Sequence, residues 1–159
     1  MRVVVFSDSH GDIFQAITVV ERNEKEKLFV FLGDGADEVL TLREMYPHKE
    51  FIAVRGNCDF FCQLPDEYTM DAGGTKILCT HGHLYNVKYS TDKLAETARK
   101  KGATIALYGH THKSSVKYDD GLYLVCPGSV SRPSDRYPTY ATIDITEKGI
   151  FCNIVEIKR

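Results

Sequence analysis

The sequence predicts an α/β protein: a four-layer αββα sandwich in which two mixed sheets pack face to face with helices outside. Three observations lead there. The first half alternates short apolar, β-branched runs with helical patterns, a β-α-β-α-β order that gives a parallel sheet with helical crossovers. The second half is mostly strand pairs around glycine turns, which adds antiparallel strands. Finally, five apolar runs are each followed by a polar cluster containing Asp, Asn or His beside glycine, as where strand ends converge on a site.

Val3–Phe6 is continuously apolar and reads as a strand buried on both faces. Asp12 is placed to cap a helix with Ile13, Ile17 and Val20 on one face, ending near Glu24-Lys25-Glu26-Lys27. Leu28–Leu32 is the second buried strand, and Asp37 to about Tyr46 is a helix stopped by Pro47. Phe51–Val54 is the third strand. Glu67–Asp71 and Thr75–Thr80 flank Gly73-Gly74 as a hairpin. Thr91–Lys101 is an amphipathic helix ending at Gly102, and Thr104–Tyr108 is a further strand. Ser115–Tyr118 and Leu122–Cys126 flank Asp120-Gly121, and Tyr140–Ile145 and Ile150–Ile157 flank Lys148-Gly149, giving two more hairpins.

A chain of 159 residues suits one domain, residues 1–159, with a sizeable core. A formal charge of −2 supplies no basic footprint, which excludes an extended nucleic-acid groove but leaves a small nucleotide ligand open. No apolar run approaches the roughly 20 residues that cross a bilayer. The apolar start Met1–Phe6 is cut short by Ser7-Asp8-Ser9-His10 with no small-residue cleavage site, so the expected location is cytoplasmic. The five cysteines (Cys58, Cys62, Cys79, Cys126, Cys152) are odd in number and scattered, which fits a reducing compartment rather than a disulfide framework. Cys79 and Cys152 read as small buried residues within strands.

Five of the six histidines fall in three tight clusters: His10 in Asp8-Ser9-His10-Gly11, His81 and His83 in Thr80-His81-Gly82-His83, and His110 and His112 in Gly109-His110-Thr111-His112. Gly33-Asp34 and Gly56-Asn57-Cys58-Asp59 lie between the first two. Imidazole and carboxylate delivered by several chain turns is how a protein cages hard or borderline divalent metals. In extended chain, residues two apart point the same way, so Asp8/His10 and His110/His112 are each expected to present both side chains to one centre. The candidates are Asp8, His10, Asp34, Asn57, His81, His110 and His112. These are too many for one ion with an open position, and suit two ions sharing a carboxylate, roughly 3.5–4 Å apart, as in phosphoryl displacement.

The ordered set Asp-x-His, Gly-Asp, Gly-Asn-x-Asp, His-Gly-His and Gly-His-Thr-His resembles the calcineurin-like metallophosphoesterases, over Asp8 to about Ser129. In its short length and Gly56-Asn57-Cys58-Asp59 the chain is similar to their small single-domain bacterial and archaeal phosphodiesterases. The resemblance implies a four-layer sandwich. It implies that Asp8, His10 and His112 hold one metal, that Asn57, His81 and His110 hold a second, and that Asp34 bridges them. A hydroxide between the ions would attack a small phosphodiester substrate in line. Two divalent ions are implied, Mn2+ or Ni2+ foremost, with Fe, Co or Zn also suited to this ligand set.

Cys58 departs from the pattern, since many relatives carry there a histidine that acts as general acid. A thiol is a weaker donor, so acidic leaving groups are expected. Beside Asn57 and Cys58, the catalytic candidates are Asp59 and His83, either as proton donors or as partners orienting the ligands. Cys126-Pro127-Gly128-Ser129 resembles the family's Asn-Pro-Gly-Ser, with Cys126 in place of Asn. Arg132 and Arg136 are phosphate contacts or solvated loop charges. Phe60, Phe61 and Cys62 form a base-stacking wall, a homodimer interface or core. Two alternatives to the phosphodiesterase reading are a phosphomonoesterase and an interaction scaffold of the same fold, like the retromer subunit.

Overall fold

The computed structural model describes residues 1–158, folded as two five-stranded mixed sheets with three α-helices. In the first sheet β1 (Arg2–Phe6), β2 (Leu28–Phe31) and β3 (Glu50–Ala53) run parallel. β9 (Thr139–Thr146) lies antiparallel against β1, and β10 (Gly149–Glu156) antiparallel against β9. The strand order is β10-β9-β1-β2-β3. In the second sheet β5 (Thr75–Thr80), β6 (Ile105–Leu107) and β8 (Leu122–Pro127) run parallel. They are edged by antiparallel β4 (Glu67–Ala72) and β7 (Ser114–Asp119) in the order β4-β5-β6-β8-β7.

β1 sits centrally because both faces are apolar. Val3 and Val5 enter the core between the sheets, with Val30, Leu32, Ile77, Ile105, Leu107 and Ile143. Val4 and Phe6 turn the other way, against Val19 and Val20 of α1 (Ile13–Arg22) and Val39 and Leu42 of α2 (Ala36–Met45). On the far side, Leu78, Ala106 and Leu124 pack against Leu94, Ala95 and Ala98 of α3 (Asp92–Lys100). The layers are therefore helix, sheet, sheet, helix. Phe31 and Leu107 are fully buried, and truncating either to alanine costs about 2–5 kcal/mol.

The elements follow the sequence reading with small shifts. Asp12 caps α1 by accepting from the Gln15 N–H at 3.1 Å. The helix stops at Arg22, before the charge run, where the Asn23 side chain turns back to the Val19 carbonyl at 2.8 Å. α2 begins at Ala36 rather than Asp37, and β6 covers only Ile105–Leu107. A 3-10 turn at His83–Tyr85, after Gly82 at φ 101°, was not anticipated; three residues carry no periodic signal. No helix is long and apolar enough to cross a membrane among the described residues.

Candidate metal centre

Five parallel strands release a polar cluster where they end. β1 delivers Asp8 and His10, β2 Asp34, β3 Asn57, β5 His81, and β6 His110 and His112. The backbone does not continue extended there. Asp8 (φ 58°), His10 (44°), Asp34 (58°), His110 (68°) and His112 (58°) all occupy the left-handed region, sparsely used by residues with a side chain. The expectation that Asp8/His10 and His110/His112 align by strand alternation is thus corrected. Their side chains converge because each loop curls in the left-handed sense, and conformations of this kind cost about 1–3 kcal/mol each and concentrate at functional sites. The Gly33 and Gly56 backbones fit because neither has a side chain. A Cβ on Gly33 would stand 2.5 Å from the Gly56 nitrogen, and one on Gly56 would overlap the Asp34 carboxylate.

The convergence is close. His10 Nε2 lies 3.1 Å from His112 Nε2. Asp8 Oδ1 lies 3.1 Å from His112 Nε2 and 3.7 Å from His10 Nε2. Asp34 Oδ2 stands between two rings, 3.8 Å from His10 Nε2 and 3.4 Å from His81 Nε2. Asn57 Oδ1 is 3.2 Å from His81 Nε2. One donor atom from each of Asp8, His10 and His112 falls within 4.8 Å of the others, and so do those of Asp8, Asp34 and His81, and of His10, Asp34 and Cys58. His110 joins more loosely. Its ring is edge-on to His81 at 5.0 Å between centroids, and its backbone N–H donates to Asp8 Oδ2 at 3.2 Å.

Two histidines are fixed in one tautomer. His81 Nδ1 is 2.7 Å from the Leu32 carbonyl and His112 Nδ1 is 2.8 Å from the Arg132 carbonyl. A carbonyl only accepts, so both Nδ1 atoms carry hydrogen and both Nε2 atoms face the carboxylates, the arrangement of metal-ligating imidazoles. The buried Asp8 Oδ1 has no hydrogen-bond partner among the described residues. An orphaned carboxylate oxygen beside two imidazole nitrogens needs a positive charge. A proton meets that need in part: the Asp8 carboxylate, 3.1 Å from His112 Nε2, raises the His112 pKa. For His81, burial pushes the pKa down, but Asp34 and Asp8 outweigh it and hold it above the ordinary value. Asp34 would likewise be raised by burial, yet hydrogen bonds from His81 and Cys58 hold it well below the usual carboxylate range. His110 is pushed down to about 4 by burial and by His81, and burial also lowers His10. The donor set of imidazole, carboxylate and amide oxygen fits a borderline divalent cation.

Asp59 does not face the imidazoles. Its Oδ2 accepts the Asp34 and Gly56 N–H groups at 2.8 and 2.7 Å, and its Oδ1 those of Gly35 and Ala36 at 2.8 and 2.9 Å. Four backbone donors occupy its lone pairs, so it clamps the Asp34 and Asn57 loops and caps α2. It makes no hydrogen bond to the side chain of His10 or another candidate ligand among the described residues, and holds the candidate ligand Asp34 through its backbone N–H. His83 lies at 5.4 Å from His81 and 6.1 Å from His110, ring to ring, with its buried Nδ1 unpartnered among the described residues. Burial and His81 hold its pKa below the ordinary value. Cys58 donates its N–H to Asp34 Oδ1 at 2.8 Å, and burial and Asp34 raise its thiol pKa. Cys126 is buried, its sulfur 3.3 Å from the Thr111 hydroxyl in the His110–His112 loop.

Of three supports, Glu38 and Ser131 were not legible as site residues, and Ser129 only as the end of the Cys126-Pro127-Gly128-Ser129 segment. Glu38 of α2 is buried and accepts from the Ser9 hydroxyl at 2.8 Å and the Gly11 N–H at 2.6 Å, holding the loop that carries His10. Ser129 and Ser131 both donate to the Asp8 carbonyl, at 2.8 and 3.0 Å. A cleft of about 920 Å3 opens beside the cluster, lined by His10, Asp34, Cys58, Phe60, Phe61 and Arg132 among others. Arg136 lies elsewhere, against the Tyr137 ring at 5.2 Å.

The fold and this constellation are those of a phosphoesterase domain with a candidate metal centre, and comparison with known proteins agrees. Residues 1–148 match the calcineurin-like phosphoesterase superfamily domain, and the chain belongs to that family, whose members use divalent metals. It is 35% identical over 138 residues to "probable metallophosphoesterase YsnB" of Bacillus subtilis, covering 86% of this chain and 79% of that protein. The crystal structure of a conserved protein of Streptococcus pneumoniae TIGR4, described as a predicted phosphoesterase, superposes with a TM-score of 0.85 at 30% identity, over 98% of this chain and 88% of the other. An archaeal phosphodiesterase shares the fold, with a TM-score of 0.74 at 18% identity over 98% of this chain and all of that one.

Proposed function

We propose that the chain is a dinuclear, divalent-metal-dependent phosphodiesterase that hydrolyses a small phosphate diester with an acidic leaving group. The supporting observation is the place of Asp34 Oδ2 between His10 Nε2 and His81 Nε2, with Asp8 Oδ1 orphaned alongside. A carboxylate so placed suits a bridge between two cations. Asp8, His10 and His112 hold one, and Asn57, His81 and His110 the other. The bound ions supply a water of lowered pKa and neutralise charge on the phosphoryl oxygens. Mn2+ or Ni2+ fits the mixed imidazole, carboxylate and amide ligands, as do Fe, Co and Zn.

The residues around the cluster set which ester leaves. Arg132, exposed at the cleft rim, meets a non-bridging phosphate oxygen. Cys58, its thiol pKa raised, is protonated at neutral pH and a poor acid. His83, its pKa lowered, is neutral there and donates no imidazolium proton. Neither helps a basic alkoxide depart, so the reading favours leaving groups that need no proton. The scattered free thiols accord with work in the cytoplasm.

The test is hydrolysis of an aryl phosphodiester against the matching monoester by metal-stripped protein, with Mn, Ni, Co, Zn or Mg added back and Asp34→Asn as control. Diester turnover restored by metal and abolished by Asp34→Asn supports the reading. Preference for the monoester replaces it with the phosphatase alternative. Metal binding without turnover of either ester points to the interaction scaffold.

A further inference from the structure

The cleft beside the metal centre has an unusual wall. Phe60 is 76% exposed and Phe61 wholly exposed, on the loop that follows Asn57 and Cys58. Neither belongs to any of the three packed cores. Phe61 sits at φ 61°, an uncommon conformation for a bulky side chain, so the loop holds its ring outward against a steric cost. Leu40 of α2, 45% exposed, and Leu64 line the same cleft. Nothing in the fold requires these rings in water.

The occupant is constrained by what else lines the space. The same cleft carries His10, Asp34 and Cys58 of the metal centre, and charged Arg132, Arg43, Asp37 and Asp59. A lipid chain needs an apolar trough, which this is not. A nucleobase needs an apolar face to stack on and polar groups at its edge, with its phosphate held a few ångströms away. The volume, about 920 Å3, is in the range for a ligand of nucleotide size.

We propose that Phe60 and Phe61 stack the base of a nucleoside ester whose phosphate lies at the metal centre beside Arg132, so that the substrate is a nucleotide-type phosphodiester. The proposal rests on the phosphoesterase reading of the metal centre and names the substrate class it takes. Stacking is sequence-tolerant, so the wall selects a planar aromatic ester without choosing among bases.

The experiment compares thymidine 5′-(p-nitrophenyl phosphate) with methyl p-nitrophenyl phosphate on the Mn2+-loaded protein. The two share leaving group and charge and differ in the group offered to the wall. The expected KM is about tenfold lower for the thymidine ester, from stacking of one base. In the double variant Phe60→Ala/Phe61→Ala that ratio collapses towards one. Phe60→Leu/Phe61→Leu, which stays apolar but cannot stack, collapses it too and serves if the alanine variant folds poorly. Equal KM values in the wild type, or a ratio unchanged by both variants, overturn the proposal. So does a variant that turns a dimer into a monomer in sedimentation while the ratio stays, since the rings then serve a second copy of the chain. If neither ester is cleaved, the failure belongs to the phosphodiesterase reading. Calorimetric titration with thymidine 5′-phosphate against inorganic phosphate then decides: tighter nucleotide binding, lost in the variants, supports the stacking wall, and equal affinity overturns it.

Discussion

The Nε2 atoms of His10 and His112 stand 3.1 Å apart across the buried Asp8 carboxylate. Two imidazole nitrogens at that distance beside a carboxylate oxygen share a proton or a cation, and a divalent ion satisfies all three groups at once. Chelator-stripped protein is therefore expected to melt at a lower temperature than protein with Mn2+ or Zn2+. At a hundredfold excess over Kd the gain is about 2.7 kcal/mol. His112→Ala should remove most of it. Calorimetric melts that coincide with and without every metal tried would sink the metal assignment.

Metal affinity should rise with pH. His81 and His112 have pKa values raised by Asp34 and Asp8, and each must lose its proton to become a ligand. Their protonated forms therefore compete with the metal below those raised values, which lie above the ordinary 6.5. Titrations in buffers of different ionisation enthalpy should detect proton release on binding, growing as pH falls from 8 to about 6. An affinity that is flat across this window contradicts the geometry.

Asp59→Ala should destabilise the protein by about 2 kcal/mol, because four backbone N–H groups lose their acceptor and water replaces it only in part. Asp59→Asn, which keeps one oxygen, should cost less. The order is read from urea midpoints. If Asp59→Ala unfolds at the wild-type midpoint but abolishes turnover, the residue is a proton donor after all.

Cys58→His should extend hydrolysis to worse leaving groups. A general acid contributes about 10²–10⁴-fold where the leaving oxygen needs a proton. The expected readout is a shallower dependence of log kcat on leaving-group pKa across aryl diesters. Cys58→Ser should leave the slope near wild type. An identical slope in Cys58→His would mean that this position does not reach the leaving oxygen.

Much of this was written in the sequence. β1, β2 and β5 were legible because strands buried on both faces read as unbroken apolar runs. The candidate metal centre was legible because its chemistry is concentrated in short motifs at strand ends. What escaped the sequence depends on tertiary geometry. The left-handed turn at Asp8 and His112 has no local signature, since neither is glycine. In the sequence Asp59 reads as a proton donor or as a partner orienting a ligand, and only the fold turns its oxygens to the Asp34–Ala36 backbone. Nothing local marks Glu38, whose part comes from the Ser9–Gly11 loop that the fold brings to it.

β1 pairs with β2 on one side and with β9 on the other, so the strand that carries Asp8 borders one made more than a hundred residues later. The Asp8 carbonyl also waits for Ser129 and Ser131. During synthesis at about 5–20 residues per second, β1 therefore spends on the order of ten seconds with one edge unpaired before its antiparallel neighbour leaves the ribosome. Until then the Asp8 backbone lacks the Ser129 and Ser131 hydroxyls, while Glu38 and Asp59 already hold the His10 and Asp34 loops. Closure of the first sheet and the final fixing of the loop that carries Asp8 thus become one late event, completed only when the chain has been made through β9.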